Sequence, residues 1–87
     1  MEILYSGHVQ GVGFRYTAKT VATGFEISGV VRNLSDGRVE LFAEGSREDL
    51  EAFRAAIRDA GLKPFIRGES VTWNAAQNKF RSFEIVH

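Results

Sequence analysis

The segment from Gly7 to Arg15 combines three glycines with an arginine in a pattern that suits the binding of an anion. Glycine adopts positive φ angles easily and lets a ligand approach the backbone amides closely. Successive N–H groups in such a loop can form a concave nest for an anion. Arg15 adds a planar fork of donors that fits phosphate or carboxylate oxygens. The segment is thus a candidate phosphate-binding loop, although glycines also serve simply to turn a chain.

The elements on either side of this loop strengthen the interpretation. A strand is predicted over Ile3 to Val9, and a helix begins at Phe14, because apolar residues then recur with helical spacing up to Phe25. A helix start offers unpaired N–H donors and partial positive charge. A cation such as Arg15 there costs roughly several tenths of a kcal/mol, which suggests an anion between it and the loop. The segment matches neither the P-loop nor the dinucleotide-binding pattern.

A second polar candidate is Asn33, at the end of a strand predicted over Ile27 to Asn33. Its amide offers both a donor and an acceptor, so it can hold a water molecule and direct one of its lone pairs. Asparagine at a strand end also often satisfies backbone groups in the turn that follows. The residue alone leaves both interpretations open.

The other elements complete a recognisable order. Asp36-Gly37 predicts a hairpin, Ser46 opens a second helix, and Gly61 and Pro64 end it. The result is a ferredoxin-like α+β sandwich, βαββαβ, with two helices on one face of a mostly antiparallel sheet and an extra C-terminal strand. One domain over residues 1–87 is expected. The remaining predicted strands are Arg38 to Glu44, Glu69 to Ala75 and Phe80 to Val86.

Composition excludes several classes of protein. Eleven Lys and Arg residues balance eleven Asp and Glu residues, which argues against a nucleic-acid-binding domain. There is no cysteine for a disulfide or a thiolate metal site, and this absence favours the cytoplasm. No apolar run is long enough for a membrane span, and the N-terminus does not match a signal peptide. We expect a cytoplasmic monomer, since nothing in the sequence demands a larger assembly.

The two candidate segments together resemble the acylphosphatase family. Residues Gly7 to Arg15 match its first motif, Gly-x-Val-Gln-Gly-Val-x-Phe-Arg, at every specified position. The second motif, a Gly-aromatic-Val-x-Asn stretch followed by turn residues, has Val30 at the aromatic position here. Its matching residues are Gly29, Val31, Asn33, Gly37, Val39 and Gly45.

The resemblance implies hydrolysis of the carboxyl–phosphate bond of acyl phosphates, with no metal or organic cofactor. It assigns Arg15 as the phosphate-binding catalytic arginine and Asn33 as the residue that orients the attacking water. The small-molecule acyl phosphate itself is not specified. The substrate-binding residues that the resemblance implies are Val9, Gln10, Gly11, Val12, Gly13 and Phe14.

Alternatives remain at three points. The proton of the attacking water is expected to go to the substrate's own phosphate oxygen, but His8 is a conceivable general base. Ferredoxin-like domains also include readers of single-stranded RNA that stack bases on sheet aromatics, against which Glu40 and Glu44 argue by repelling phosphates. Acylphosphatase-like domains also occur at the N-terminus of larger maturation enzymes, with a carbamoyl-transfer or regulatory role.

Overall fold

A computed structural model describes all residues from 1 to 87. Five strands form one sheet in the order β4-β1-β3-β2-β5, with β2 and β5 parallel and the other neighbours antiparallel. This architecture confirms the predicted ferredoxin-like fold, with β5 as the extra strand. The elements are β1 Glu2–Gly7, α1 Phe14–Ala22, β2 Ser28–Asn33, β3 Val39–Glu44, α2 Arg47–Ile57, β4 Ile66–Thr72 and β5 Phe83–Ile85.

The core lies between the two helices and one face of the sheet. Alternate residues of each central strand point to this face, because successive side chains of a strand lie on opposite sides. Both helices are amphipathic and turn their apolar sides toward it, and the buried residues there are apolar apart from the hydroxyl group of Tyr5. The core residues include Ile3, Tyr5, Phe14, Ala18, Val31, Val39, Leu41, Leu50, Phe53 and Ile57.

The predicted boundaries of α2 agree with local chemistry. The Ser46 hydroxyl oxygen accepts a hydrogen bond from the Asp49 N–H at 3.1 Å, which caps the helix start. At the other end α2 passes at Ile57 into a wide helical turn, Arg58–Leu62, in which Gly61 has a φ of 91°, a left-handed conformation that stops the helical backbone. This turn returns Leu62 to the core before a 3₁₀ turn at Lys63–Phe65.

Three elements differ from their predicted bounds by three residues at one or both ends, whereas β1, β2 and β3 differ by at most two residues. Helix α1 ends at Ala22, although the apolar residues with helical spacing continue to Phe25, and β5 has only three residues. Strand β4 begins three residues before the predicted Glu69 and ends at Thr72. The length of β4 follows its partner: it pairs with β1 from Gly7 back to Glu2, where β1 begins, so no partner exists beyond Thr72.

The strand directions give the sheet two distinct ends. Strands β1, β2 and β5 run the same way, and β3 and β4 run oppositely. We call the end that holds Gly7 and Asn33 the loop end, and the end that holds Glu44 the strap end. The strap, Trp73–Ser82, links the two edge strands there. No helix has both the length and the apolar character to cross a membrane.

Candidate active site

The loop end of the sheet gathers chain segments that are far apart in sequence. The glycine-containing loop, His8–Gly13, follows β1, Asn33 ends β2, and His87 lies two residues beyond β5. These three strands run in the same direction, so the residues that follow them emerge at one edge. Helix α1 begins at the same edge, directly after the loop. The fold therefore brings both sequence-predicted catalytic residues to one end of the domain.

The backbone of the loop leaves its donors free. Gly11 and Gly13 have φ angles of 80° and 77°, while Val12 between them has a negative φ. Such alternation turns successive N–H groups toward one side and forms a nest for anions. No N–H group between Val9 and Gly13 donates to another backbone group. The loop thus presents unpaired donors at the N-terminus of α1, where the helix macrodipole also favours negative charge.

The two glycines are required for conformation rather than for space. A Cβ atom built on Gly11 or Gly13 meets no atom within 4 Å. The positive φ angles alone disfavour other residues, by about 1–2 kcal/mol for an ordinary L-residue. The space beside the loop is open, so a ligand can approach the N–H groups.

Three side chains in or next to the loop anchor it rather than face a ligand. Val9 is fully buried, and Phe14 is buried against Tyr5 with ring centroids 4.7 Å apart. The Gln10 side-chain amide donates to the carbonyl oxygens of Leu34 at 2.7 Å and Arg38 at 2.9 Å. Val9 and Phe14 are therefore available to a ligand only through their backbone. The Gln10 side chain ties the loop to the β2–β3 hairpin, a contact that the sequence did not predict.

Arg15, the second residue of α1, is half-buried and has no acidic partner. None of the ion pairs in the structure involves Arg15. Its guanidinium Nη1 lies 3.1 Å from Nδ1 of His87. The positive charge of Arg15 is therefore uncompensated within the chain and available to an anion.

Asn33 ends β2 opposite Val39 and is exposed. None of the side-chain hydrogen bonds in the structure uses its amide. The Asn33 amide therefore forms no hydrogen bond that stabilises the turn, in contrast to the interpretation that it satisfies backbone groups at the strand end.

The turn after Asn33 is stabilised by other groups. The Leu34 N–H donates to the Arg38 carbonyl oxygen at 2.8 Å. The Asp36 carboxylate accepts hydrogen bonds from the backbone N–H of Arg38 at 3.1 Å and from its guanidinium at 2.8 Å, and these bonds lower the pKa of Asp36. The hairpin thus holds its shape without the Asn33 amide.

His87 and the hairpin contact of Gln10 are the features of this end that sequence reasoning missed. Arg15 and His87 are 72 residues apart, and only the placement of β5 beside β2 brings them together. No motif in the sequence signals that contact. No group of three or more His, Asp or Glu side chains is placed to hold a metal ion.

Comparisons with known proteins identify the family. The acylphosphatase family model matches residues 1–85. An acylphosphatase of Archaeoglobus fulgidus is 40% identical over 87 residues, which is all of this chain and 97% of the relative. The crystal structure of the Bacillus subtilis acylphosphatase superposes with a TM-score of 0.89 at 36% identity, covering 99% of this chain and 96% of that one. T. kodakarensis HypF matches with a TM-score of 0.84 at 30% identity, but over only 11% of its own chain. With these matches spanning nearly all of its length, the chain belongs to the acylphosphatase family.

Proposed function

We propose that this protein hydrolyses acyl phosphates to a carboxylate and inorganic phosphate, with the loop end of the sheet as its active site. The observation that carries the proposal is the free row of N–H donors between Val9 and Gly13, followed directly by the unpaired charge of Arg15. Family membership supports the same reaction.

The proposed roles follow the chemistry of the bond. An acyl phosphate is a mixed anhydride whose leaving carboxylate is a weak base, because its conjugate acid has a pKa of about 4. The carboxylate therefore departs without a strong general acid. Phosphoryl transfer has a loose transition state with charge on the equatorial oxygens. The loop N–H groups and the Arg15 guanidinium would stabilise that charge, because preorganised donors need no rearrangement during the reaction.

Asn33 is proposed to orient the attacking water. The water oxygen forms a bond to phosphorus while the bond from phosphorus to the acyl oxygen breaks, and the carboxylate leaves with the electron pair. One water proton stays on the attacking oxygen and the other passes to a phosphoryl oxygen of the substrate, so the first product is dihydrogen phosphate, which then equilibrates with solvent. Asparagine is suited to positioning rather than to proton transfer, since its amide is not basic near neutral pH.

His8 is the competing general base. It is exposed in the loop, and its ring lies 6.2 Å from that of Phe65, centroid to centroid. Replacing His8 with asparagine separates the two routes. Transfer of the proton to the substrate leaves turnover largely intact, whereas a general base of this kind contributes about 10²–10⁴-fold.

We propose further that the protein acts as a cytoplasmic monomer on a small-molecule acyl phosphate. The lack of cysteine in 87 residues supports a reducing compartment. Sedimentation velocity at micromolar concentration tests the monomer directly. Absence of turnover with every simple acyl phosphate would instead favour a regulatory or carbamoyl-transfer role.

The test is a turnover assay with a synthetic aromatic acyl phosphate, in excess EDTA, with inorganic phosphate added as an inhibitor. We expect hydrolysis that EDTA does not reduce, and competitive inhibition by phosphate, because both ligands place a phosphoryl group in the same nest. Hydrolysis that phosphate inhibits without competing with substrate would contradict the proposed site. No hydrolysis at all would contradict the reaction.

A further inference from the structure

We infer that the outer face of the sheet, the face turned away from the helices, carries a second ligand site that takes a small aromatic carboxylate. The site is a cavity of about 350 Å³ between the sheet and the strap. Small-molecule sites typically occupy about 300–1,000 Å³, so the cavity has room for a small ligand. None of the residues assigned to the proposed function lines it, and the inference stands independently of that function.

The strands place this cavity on the opposite side of the sheet from α1. Val31 and Leu41, in β2 and β3, are buried in the core. Successive side chains of a strand point to opposite sides, so Val30, Arg32 and Phe42 point to the outer face. These three residues line the cavity together with residues of the strap. The loop with the free N–H row leads into α1 and therefore lies apart from the cavity.

Apolar side chains form most of the lining. Phe42 from the sheet and Phe80 from the strap are half-buried, and Val30 pairs with Phe42 across the two strands. Val86 is 38% exposed and is one of the two large apolar side chains that the fold leaves exposed. Covering such a surface is favourable, and a flat ring packs well against phenylalanine rings. The lining therefore suits a ligand with an aromatic body.

The charged side chains of the lining set the sign of the ligand. Lys79 is exposed and forms no ion pair. Arg32 donates from Nε to Glu40 at 2.6 Å and keeps the N–H groups of both Nη atoms for another partner. Glu44 is the only carboxylate of the lining, and it already accepts three N–H bonds from the strap. The groups left for a ligand are therefore cationic donors, which favour a carboxylate.

The test uses naphthoate, which joins a two-ring apolar body to one carboxylate. It is titrated into the isotope-labelled wild type, and binding is followed by the amide shifts in two-dimensional NMR spectra. We expect saturable binding with a dissociation constant of about 0.1–1 mM and the largest shifts in β2, β3 and the strap. Naphthamide, with the same rings and no charge, should bind about 2- to 5-fold more weakly, which is the value of an exposed ion pair. Acetate, with the charge and no rings, should give no saturable shifts there.

A pair of lysine substitutions tests the charge. Lys79→Gln removes an exposed ammonium from the cavity and should weaken naphthoate about 2- to 5-fold while leaving naphthamide unchanged. The matched control is Lys63→Gln, which removes an exposed lysine that forms no ion pair and lies outside the cavity. Lys63→Gln should bind both ligands like the wild type.

A pair of aromatic substitutions tests the apolar wall. Phe80→Ala should weaken naphthoate and naphthamide alike, by about 2- to 10-fold, because both lose the contact with one ring. Tyr16→Ala, which removes an exposed ring from α1, is the control and should leave both dissociation constants unchanged. The spectrum of each variant shows whether it is folded, and the lysine pair decides the question if Phe80→Ala is not.

Inorganic phosphate separates the cavity from the loop end. A carboxylate bound to the free N–H row is the competing explanation for naphthoate binding. Saturating phosphate should displace it from that row but should leave the dissociation constant of naphthoate in the cavity unchanged.

Four results overturn the inference: naphthoate that does not saturate, naphthoate that phosphate displaces, naphthamide that binds as tightly as naphthoate, and Lys79→Gln that matches Lys63→Gln. The binding experiments contain no acyl phosphate, so their outcome does not depend on turnover. A wild type that binds naphthoate in the cavity but hydrolyses no acyl phosphate would contradict the proposed function alone.

Discussion

Each end of the sheet carries a segment with several neighbouring backbone N–H donors, but only at the strap end does the chain itself supply an anion to them. There the Glu44 carboxylate accepts N–H bonds from Gln77 at 2.7 Å, Asn78 at 2.8 Å and Lys79 at 3.3 Å. At the loop end, the N–H groups between Val9 and Gly13 donate to no backbone group. The N–H groups of the strap are thus bound to a carboxylate of the chain, whereas those of the loop have no partner within it.

The same backbone chemistry closes an internal contact at the strap end and, in the proposed function, binds the phosphoryl group at the loop end. At the strap end the hydrogen bonds lower the pKa of Glu44, the bond from Asn78 contributing most, so the carboxylate stays charged and the strap stays attached. At the loop end no acidic side chain forms an ion pair with Arg15, and its charge serves the phosphoryl group in the proposed function. An unsatisfied nest beside an unpaired arginine is what a phosphoryl-binding site requires.

The largest effect should come from removing the charge at the loop end. Arg15→Ala is expected to lower kcat/KM for an acyl phosphate by about 10²–10³-fold, because one preorganised donor group to the transition state has that value. The matched control is Arg81→Ala, which removes an exposed arginine that forms no ion pair. Similar losses in both variants would show that general attraction, rather than the loop end, accounts for the effect.

Asn33→Ala should produce the next largest effect, and on a different parameter. We expect kcat to fall by about 10²-fold, because a misplaced nucleophile costs that much, while the inhibition constant of phosphate changes little. Asn74→Ala, an exposed asparagine in the strap, is the control. A large loss of phosphate binding in Asn33→Ala with normal turnover at saturation contradicts the assignment of Asn33 to the water.

The overall fold was predictable because local signals agreed with one another. Helical spacing from Phe14, the Asp36-Gly37 turn and the Ser46 cap each matched the structure. The boundaries were less predictable, since the length of β4 depends on where β1 begins. A strand's length is set by its partner, which the local sequence does not encode.

The candidate site, like the fold, was predictable from local sequence only in part. The sequence placed Arg15 and Asn33 where the fold brings them, at one end of the sheet. It could not show that the Gln10 amide binds two carbonyl groups of the hairpin, or that His87 reaches Arg15. Those contacts join residues 24 to 72 positions apart, so they depend on the sheet order rather than on any motif.

Two glycines with similar backbone conformations allow stability to be separated from phosphate binding. Gly13 and Gly61 have φ angles of 77° and 91°, and neither would bring a new Cβ within 4 Å of another atom. Replacing either with alanine should cost about 1–2 kcal/mol of unfolding free energy through backbone strain, measured by urea denaturation. Only Gly13→Ala should also weaken phosphate inhibition, because only Gly13 shapes the free N–H row. Equal weakening in both variants would mean that stability, rather than the nest, controls activity.

The smallest effect is expected at the strap end. Glu44→Gln should lower the melting temperature slightly near neutral pH and leave phosphate inhibition unchanged, since Glu44 lies at the opposite end of the sheet from the loop. A neutral amide oxygen replaces a charged acceptor of three N–H bonds, so the strap is held less firmly.

The pH dependence of that difference follows from the lowered pKa of Glu44. Its stabilising contribution is fully present above its ordinary value of 4.5 and is lost as the pH falls through the lower value of the folded protein. The melting temperatures of Glu44→Gln and the wild type should therefore converge under acidic conditions and stay apart at neutral pH. A gap that persists in acid would mean that Glu44 stabilises the strap through something other than its charge, and the contrast between the two ends would no longer rest on anion binding.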